Sequence, residues 1–228
     1  MFLGHFGLGF GAKKAAPAVS LGTLFLAAQF ADLMWPTLVL FGVERVEVQP
    51  GVTAVTPLNF VSYPYSHSLL ALCVWGVLFA GIYVVVRRSR LPAAIALGLL
   101  VVSHWVLDYV THRPDLPLTP GGETRVGLGL WFSVPGTLAA EFGLFVIGIV
   151  LYVRSTTPRD RAGSIGLWSL VAFLIVVYLA STFGPPPPSP SAVAWTAQAM
   201  WLLVVWAYWV DKHRLLNGNR GKMVSHLP

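Results

Sequence analysis

The sequence predicts an all-α integral membrane protein, and three observations support this prediction. Of the 228 residues, 56% are hydrophobic and only 11% are charged. The mean hydropathy is +0.70, well above the range of soluble globular domains. Apolar runs of about 20 residues recur along the chain, and each could cross a hydrocarbon core of roughly 30 Å as a helix.

Six apolar runs are predicted to be transmembrane helices, and one shorter segment precedes them. Residues 1–14 are glycine-rich and too short to span, so they are expected to form a short amphipathic or re-entrant helix. The six predicted spans comprise residues 19–41, 66–86, 91–110, 134–153, 166–183 and 193–210.

The chain shows no internal repeat, which predicts one polytopic membrane domain over residues 1–228. Within it, residues 15–154 hold spans one to four, and residues 155–211 hold spans five and six. Residues 212–228 are predicted to form a basic cytoplasmic tail.

Basic residues are concentrated in alternate connecting segments, which predicts the orientation. By the positive-inside rule these segments and both termini are cytoplasmic, so loops 42–65, 111–133 and 184–192 face outward. The net charge of +6 is then explained by interfacial side chains, and the expected partner is the lipid bilayer, with no nucleic acid. The four clusters are Lys13 and Lys14; Arg87, Arg88 and Arg90; Arg154, Arg159 and Arg161; and Lys212, Arg214, Arg220 and Lys222.

The outward loops differ in composition. Loop 42–65 alternates valine with polar residues, which predicts a short hairpin or a segment lying along the membrane surface. Loop 184–192 contains GPPPPSPS and is predicted to form a stiff polyproline turn.

Span three carries three ionisable side chains at intervals of four residues, namely His104, Asp108 and His112. Residues four apart lie on the same face of a helix. The three side chains therefore form one stripe about 12 Å long.

Three further ionisable residues fall in the same half of the membrane as this stripe. Asp32 lies in the outer half of span one, His67 begins span two, and Glu141 lies near the start of span four. An ionisable group inside a membrane costs on the order of 2.5–3.5 kcal/mol on insertion scales, so six of them at one depth indicate a function.

Imidazole and carboxylate groups together are typical ligands of zinc, manganese or iron. A metal site is therefore one interpretation of the cluster, and zinc or manganese is the ion expected. Two alternatives stay open. The groups could form metal-free hydrogen bonds that tie the bundle together, or they could build a proton or ion relay.

Two motifs within the spans resemble those of a known family. The tract SHSLL at residues 66–70 and the tract SHWVLDYVT at residues 103–111 are similar to the THSLL and SHxxxDxxT signatures of bacterial inner-membrane metal-dependent hydrolases. That family also has a histidine in a short first helix, here His5, and an acidic motif in the next helix, here Asp32 in ADLMWP. The resemblance covers residues 5–118. It implies a multi-pass protein of the bacterial inner membrane whose metal is held by Asp32, His67, His104 and Asp108, with His5 as a further candidate.

The chain departs from the family pattern at two places. Met34-Trp35-Pro36 stands where the family has a second acid and a histidine, and Ser62-Tyr63-Pro64 stands where it has His-Arg-Gly. His112 and Glu141 are near enough in sequence to act as replacement ligands, or as catalytic groups that transfer protons. His5 can be a ligand only if the first ten residues enter the membrane, because Lys13 and Lys14 place its segment on the cytoplasmic side.

The function expected from these residues together with the resemblance is metal-dependent hydrolysis of an amphiphilic ester or phosphoester at the outer face of the membrane. A transporter with a histidine–carboxylate relay and a non-catalytic structural partner are the alternatives. We expect spans one to four to enclose a polar pocket, with residues 64–67 and 113–134 around its mouth. Spans five and six are expected to pack outside it. The ligand atoms of the four predicted metal-binding residues should lie within roughly 5 Å of a common point.

Overall fold

The computed structural model describes residues 1–88 and 91–217. Arg90, Arg220 and Lys222 of the basic clusters lie outside this part of the chain. The helices are α1 (Leu3–Ala15), α2 (Leu21–Ala28), α3 (Phe30–Leu40), α4 (Pro64–His67), α5 (Leu69–Arg87), α6 (Leu91–Thr111), α7 (Val134–Ser155), α8 (Arg161–Phe183), α9 (Pro190–Gln198) and α10 (Met200–Lys212). The short strands are β1 (Arg45–Val48), β2 (Leu58–Ser62), β3 (Leu116–Pro117), β4 (Arg125–Val126), β5 (Thr156–Pro158) and β6 (Arg214–Leu216).

The described residues fold as an all-α membrane protein, which confirms the predicted fold class. Five helical segments are long and apolar enough to cross a membrane: α5, α6, α7, α8 and the stretch Pro190–Lys212 that contains α9 and α10. The axes of helices α2 and α3 are bent by 56° relative to each other at a short break. The two helices make a sixth segment if this bent pair is one broken span. These segments coincide with the six apolar runs of the sequence.

Several helices begin at a side chain that accepts a hydrogen bond from their first turn. Ser68, Ser133, Asp160 and Ser189 accept from the backbone amides two or three residues into α5, α7, α8 and α9. Such caps satisfy amides that have no partner within the helix, which matters more where water is scarce. They therefore fix where each helix starts.

Helix α1 is buried inside the bundle and packs along α7. The contact is backbone to backbone, because a Cβ on Gly148 would lie 2.0 Å from the carbonyl oxygen of Gly7. Small residues at such an interface let two membrane helices approach closely. The sequence predicts either an amphipathic or a re-entrant N-terminal helix, and in the structure this helix enters the bundle.

The position of Met1 corrects the prediction that the N-terminus lies with the basic segments. Met1 is 8% exposed, and its amino nitrogen lies 2.5 Å from Asp108 Oδ1. Helix α1 then runs from Met1 toward Lys13 and Lys14 in its last turn. The buried amine has a carboxylate partner, which is what permits a charged group at this position.

One end of the bundle carries the basic side chains that lie in the last turns of α1, α5, α7 and α10, and we call it the basic end. Lys13 Nζ lies 2.9 Å from Asp211 Oδ2, and Tyr152 donates a hydrogen bond to Asp211 Oδ1. These contacts hold the ends of α1, α7 and α10 together. The described basic side chains in the last turns of these helices and of α5 are Lys13, Lys14, Arg154, Lys212 and Arg87.

The described strands pair in three short antiparallel two-stranded units. Strands β1 and β2 pair with Val46 opposite Phe60, so loop 42–65 contains the predicted hairpin. Strand β6 pairs with β5, and Arg214 is 8% exposed and bonds to Thr156 and the carbonyl of Gly163. The first residues of the predicted tail are therefore part of the fold, because β5 offers them a backbone partner.

Helices α8 and α10 pack against α1 and α7 in the largest apolar core. This core includes Phe6, Phe10, Phe145, Leu170 and Val204, all of which are buried. The prediction that spans five and six pack outside the polar pocket is wrong, as described below, because α8 and α9 form part of its wall.

Candidate metal centre

Helix α6 contributes the centre of the cluster. Its buried face includes Leu97, Leu100, His104, Asp108 and Thr111, spaced three or four residues apart. His104 and Asp108 are 1% and 2% exposed, so the predicted stripe faces the protein interior. The stripe thus contacts other polar groups instead of acyl chains, as its stability in a membrane requires.

The carboxylate of Asp108 lies among four imidazoles. Its Oδ2 is 3.2 Å from His104 Nε2, 3.8 Å from His67 Nε2 and 3.9 Å from His112 Nε2. Its Oδ1 is 3.1 Å from His5 Nε2. Helices α1, α4 and α6 therefore all direct an imidazole at one carboxylate.

Asp32 supplies a second carboxylate to the same cluster. Its Oδ1 lies 3.3 Å from His67 Nε2 and 3.7 Å from His104 Nε2. The structure thus brings together all four residues predicted as metal ligands, together with His5. Two overlapping triads have ligand atoms within 4.8 Å of one another and can hold a metal ion: His5, His104 and Asp108, and Asp32, His67 and His104.

His104 is oriented by the break between α2 and α3. Its Nδ1 donates a hydrogen bond of 2.9 Å to the carbonyl oxygen of Ala28, the last residue of α2. Because a carbonyl can only accept, Nδ1 carries the proton and Nε2 carries the lone pair. No hydrogen bond of acceptable geometry from the described residues reaches that buried Nε2, although Asp108 Oδ2 is 3.2 Å away.

His67 is oriented by a chain of two further residues. Ser66 Oγ donates to Glu44 Oε2 at 2.6 Å and lies 2.7 Å from His67 Nδ1. Since the serine proton is used by the carboxylate, Oγ accepts from His67 Nδ1. The lone pair of His67 is therefore on Nε2, which faces Asp32 and Asp108.

His112 has the same arrangement at the end of α6. Its Nδ1 lies 3.0 Å from Asp115 Oδ1, which also accepts from the hydroxyl of Tyr63. Burial would raise the pKa of Asp115, but hydrogen bonds from His112, Arg113 and Tyr63 outweigh this effect and lower the pKa. The ionised carboxylate accepts a hydrogen bond from the Nδ1–H group of His112. The lone pair of this imidazole is therefore on Nε2, which faces Asp108.

His5 is held differently from the other three imidazoles. Its ring stacks on that of His104, with centroids 3.7 Å apart and planes inclined by 4°. Its Nε2 contacts Asp108, whereas its buried Nδ1 has no hydrogen-bond partner among the described residues.

Glu141 contacts the start of α1. Its carboxylate accepts hydrogen bonds from the amides of Phe2 and Gly4 at distances down to 2.7 Å. A carboxylate at a helix N-terminus satisfies open amides and interacts favourably with the helix dipole. Through these contacts Glu141 positions α1, and with it His5.

Sequence reasoning missed the acceptors that orient the imidazoles. Glu44, which is 1% exposed, and Asp115 lie in the loops that the sequence predicts to face outward, and neither was predicted to belong to the site. The signal that could have found Asp115 is its spacing of three residues from His112. The carbonyl of Ala28 could not have been found, because it becomes available only through the bend at Gln29.

A cavity of about 470 Å³ leads to the cluster. Asp32, His67, Asp108 and His112 lie at its polar part, and its remaining wall is largely apolar and aromatic. The mouth is not formed by residues 64–67 and 113–134 alone. Trp131 contributes from that loop, but residues 55–58 of the hairpin, residues 185–188 of the polyproline turn and helices α8 and α9 also line the cavity.

Comparisons with known proteins give no independent indication of function. No family model, curated protein or solved structure matches the chain. Any functional conclusion therefore has to come from the residues of the centre themselves.

Proposed function

We propose that the protein is a membrane-embedded metal-dependent hydrolase that acts on an amphiphilic ester or phosphoester. The divalent ion, zinc or manganese, would be held by Asp32, His67, His104 and Asp108, with His5 as a further candidate ligand. The observation that carries the proposal is the common orientation of three imidazoles. Each has its Nδ1 occupied by an acceptor and its Nε2 directed at Asp108, and the Nε2 atoms of His67 and His104 also face Asp32.

This arrangement fits the needs of a metal site. A histidine ligand must present an unprotonated nitrogen, and an acceptor on its other nitrogen commonly fixes that tautomer. The buried lone pair of His104 Nε2 accepts no hydrogen bond from the described residues. This supports a role of His104 as a metal ligand. Two carboxylates and neutral imidazoles also match the preference of zinc and manganese for oxygen and nitrogen ligands.

A divalent ion in this site would lower the pKa of bound water to about 7 and would polarise the oxygen of a substrate carbonyl or phosphoryl group. His112 lines the cavity with an unprotonated Nε2, so it is positioned to accept a proton. Glu141 also lines the cavity, but its contacts with Phe2 and Gly4 favour a positioning role over the proton transfer that the sequence suggested.

The cavity supports an amphiphilic substrate. Its wall includes Trp35, Phe60 and Met200, which suit an alkyl chain, whereas its polar part is at the cluster. Among its described lining residues there is no lysine or arginine, and the amine of Met1, which also lines the cavity, is already paired with Asp108. This charge distribution favours a neutral carboxylic ester over a phosphoester, because phosphate groups are usually bound by basic side chains.

The proposed location rests on the family resemblance and on the positive-inside rule. We propose a multi-pass protein of the bacterial inner membrane with its basic end toward the cytoplasm. The cavity would then open at the outer leaflet, where lipid-like esters are accessible.

Hydrolysis of long-chain p-nitrophenyl esters by the detergent-solubilised full chain tests the proposal. We expect turnover that is lost after chelation and restored by Zn²⁺ or Mn²⁺. His104→Ala should reduce this turnover by at least about 100-fold. Lys14→Gln is the matched control, because Lys14 is exposed at the basic end.

Two results would count against hydrolysis. Turnover that is insensitive to chelation would remove the metal from the reaction. A protein that binds metal stoichiometrically but hydrolyses neither these esters nor an aryl phosphodiester would favour the structural role, and a metal-free protein would favour the relay.

A further inference from the structure

A second cavity lies at the basic end, away from the candidate metal centre. Its volume is about 590 Å³, and it is a groove between α2, α5 and α10. We call it the basic-end groove. Arg87 at the end of α5 and Lys212 at the end of α10 both line it.

The groove carries net positive charge. Asp211 also lines it, but its two oxygens accept from Lys13 and Tyr152. Lys13 balances the charge of Asp211, which leaves Arg87 and Lys212 without a neutralising acid in the described lining. Both side chains are exposed, and both line the groove, so an anionic group that enters the groove can contact them.

A row of hydroxyl groups continues inward from the basic side chains. Ser20 Oγ lies 2.9 Å from Thr23 Oγ1, which lies 2.8 Å from the hydroxyl of Tyr208. These three residues line the groove. Hydroxyl groups both donate and accept, so they suit the ester oxygens of a lipid backbone.

Farther from the basic end, the groove becomes apolar. Leu26, Phe79 and Ile82 form this part of its lining. Phe79 and Ile82 precede Arg87 by eight and five residues in α5, so they lie about 12 Å and 7.5 Å deeper along the helix axis. The order of basic, hydroxyl and apolar side chains matches the order of phosphate, glycerol ester and acyl chain in a phospholipid.

We propose that the basic-end groove is a binding site for one anionic phospholipid. The phosphate group contacts Arg87 and Lys212, the ester region contacts Ser20, Thr23 and Tyr208, and an acyl chain lies along Phe79 and Ile82. Basic pockets between membrane helices are known to select anionic head groups. Charge complementarity thus selects the lipid, and the site is independent of the proposed hydrolase activity.

Native mass spectrometry of the full chain in detergent, with phosphatidylglycerol or phosphatidylcholine added at equal concentration, tests this proposal. We expect phosphatidylglycerol to bind more tightly. Each basic side chain contributes a factor of about five, so replacing both should weaken phosphatidylglycerol binding about 25-fold. The test variant is therefore Arg87→Gln with Lys212→Gln.

The control variant Lys14→Gln with Arg154→Gln removes the same charge from exposed positions at the same end, outside the groove lining. It should retain the preference, and so should the charge-conserving pair Arg87→Lys with Lys212→Arg. Equal losses in the test and control variants would overturn the proposal, because they would indicate attraction by overall charge. Equal binding of the two lipids by the wild type, or displacement of the lipid by millimolar inorganic phosphate alone, would also overturn it.

Discussion

At the scale of single residues, the candidate centre depends on groups that orient the proposed ligands without being ligands themselves. A backbone carbonyl, a serine–glutamate pair and an aspartate each hold one imidazole by its Nδ1. Each acceptor fixes the tautomer, and the tautomer decides whether Nε2 can bind a metal. The acceptors are therefore as testable as the ligands.

Replacing Glu44 with glutamine should weaken metal binding by about 10–100-fold. A glutamine amide can donate to Ser66 Oγ, and the serine proton would then be free to turn toward His67 Nδ1. The proton on His67 would move to Nε2, which could no longer bind the metal. The measurement is metal affinity by competition with a chelating dye.

Glu47→Gln is the matched control, because Glu47 lies three residues away with a side chain that is 54% exposed. It should leave the affinity unchanged. An unchanged affinity in Glu44→Gln would show that the serine–glutamate pair does not set the tautomer of His67.

A pH effect is expected at the start of α8, far from the centre. Hydrogen bonds from His213 and from the amide of Gly163 lower the pKa of Asp160. A lowered pKa in the folded state stabilises the protein above the unfolded pKa of about 3.9, and this contribution is lost as the pH falls through the folded value. Asp160→Asn keeps a capping oxygen but has no charge to lose.

Thermal unfolding in detergent between pH 6 and pH 3 measures this effect. The wild type should lose more stability than Asp160→Asn over that range. Parallel curves for the two proteins would contradict the assigned role of Asp160.

At the scale of the elements, two irregular features create the centre. The 56° bend between α2 and α3 exposes the carbonyl of Ala28 to His104. The insertion of α1 beside α7 brings His5 to Asp108. Apolar length predicted the spans well, because a helix that crosses the hydrocarbon core must be long and apolar. It could not predict the bend, since residues 19–41 form one continuous apolar run.

The contact between α1 and α7 should tolerate no side chain at Gly148. A Cβ there would lie 2.0 Å from the carbonyl oxygen of Gly7, so the helices must separate. Gly148→Ala should lower the free energy of unfolding by about 1–3 kcal/mol and should also weaken metal binding through His5. Thermal unfolding and metal affinity are the two measurements.

Gly143 on the same helix provides the control, because a Cβ there would meet nothing within 4 Å. Gly143→Ala should be neutral or stabilise α7 by up to about 1 kcal/mol. If the two alanine variants were equally stable, the packing of α1 against α7 would not depend on the close glycine approach.

At the scale of the whole molecule, the sequence predicted the convergence of polar residues better than their surroundings. The intervals of four in α6 and the shared depth of Asp32 and His67 were sufficient to place these groups together. The walls of the cavity were not predictable in the same way. The described residues of α8 and α9 that line the cavity include no acid, histidine, lysine or arginine, so nothing in their sequence indicated that they line it.

Orientation is a separate property of the whole molecule. The positive-inside rule predicts that the basic end is cytoplasmic. Reporter fusions after residue 217 and within residues 119–124 should therefore report opposite sides, with the former in the cytoplasm. Both reporters on the same side would reverse the proposed access to the cavity.

The central claim is that the histidine–carboxylate cluster binds a divalent metal, and elemental analysis of the purified protein tests it most directly. The wild type should contain about one equivalent of zinc or manganese. His104→Ala and Asp108→Ala should each lose it while remaining folded, and His213→Ala should keep it because His213 contacts Asp160 at the basic end. A metal-free wild type, or wild-type metal content in both cluster variants, would contradict the claim.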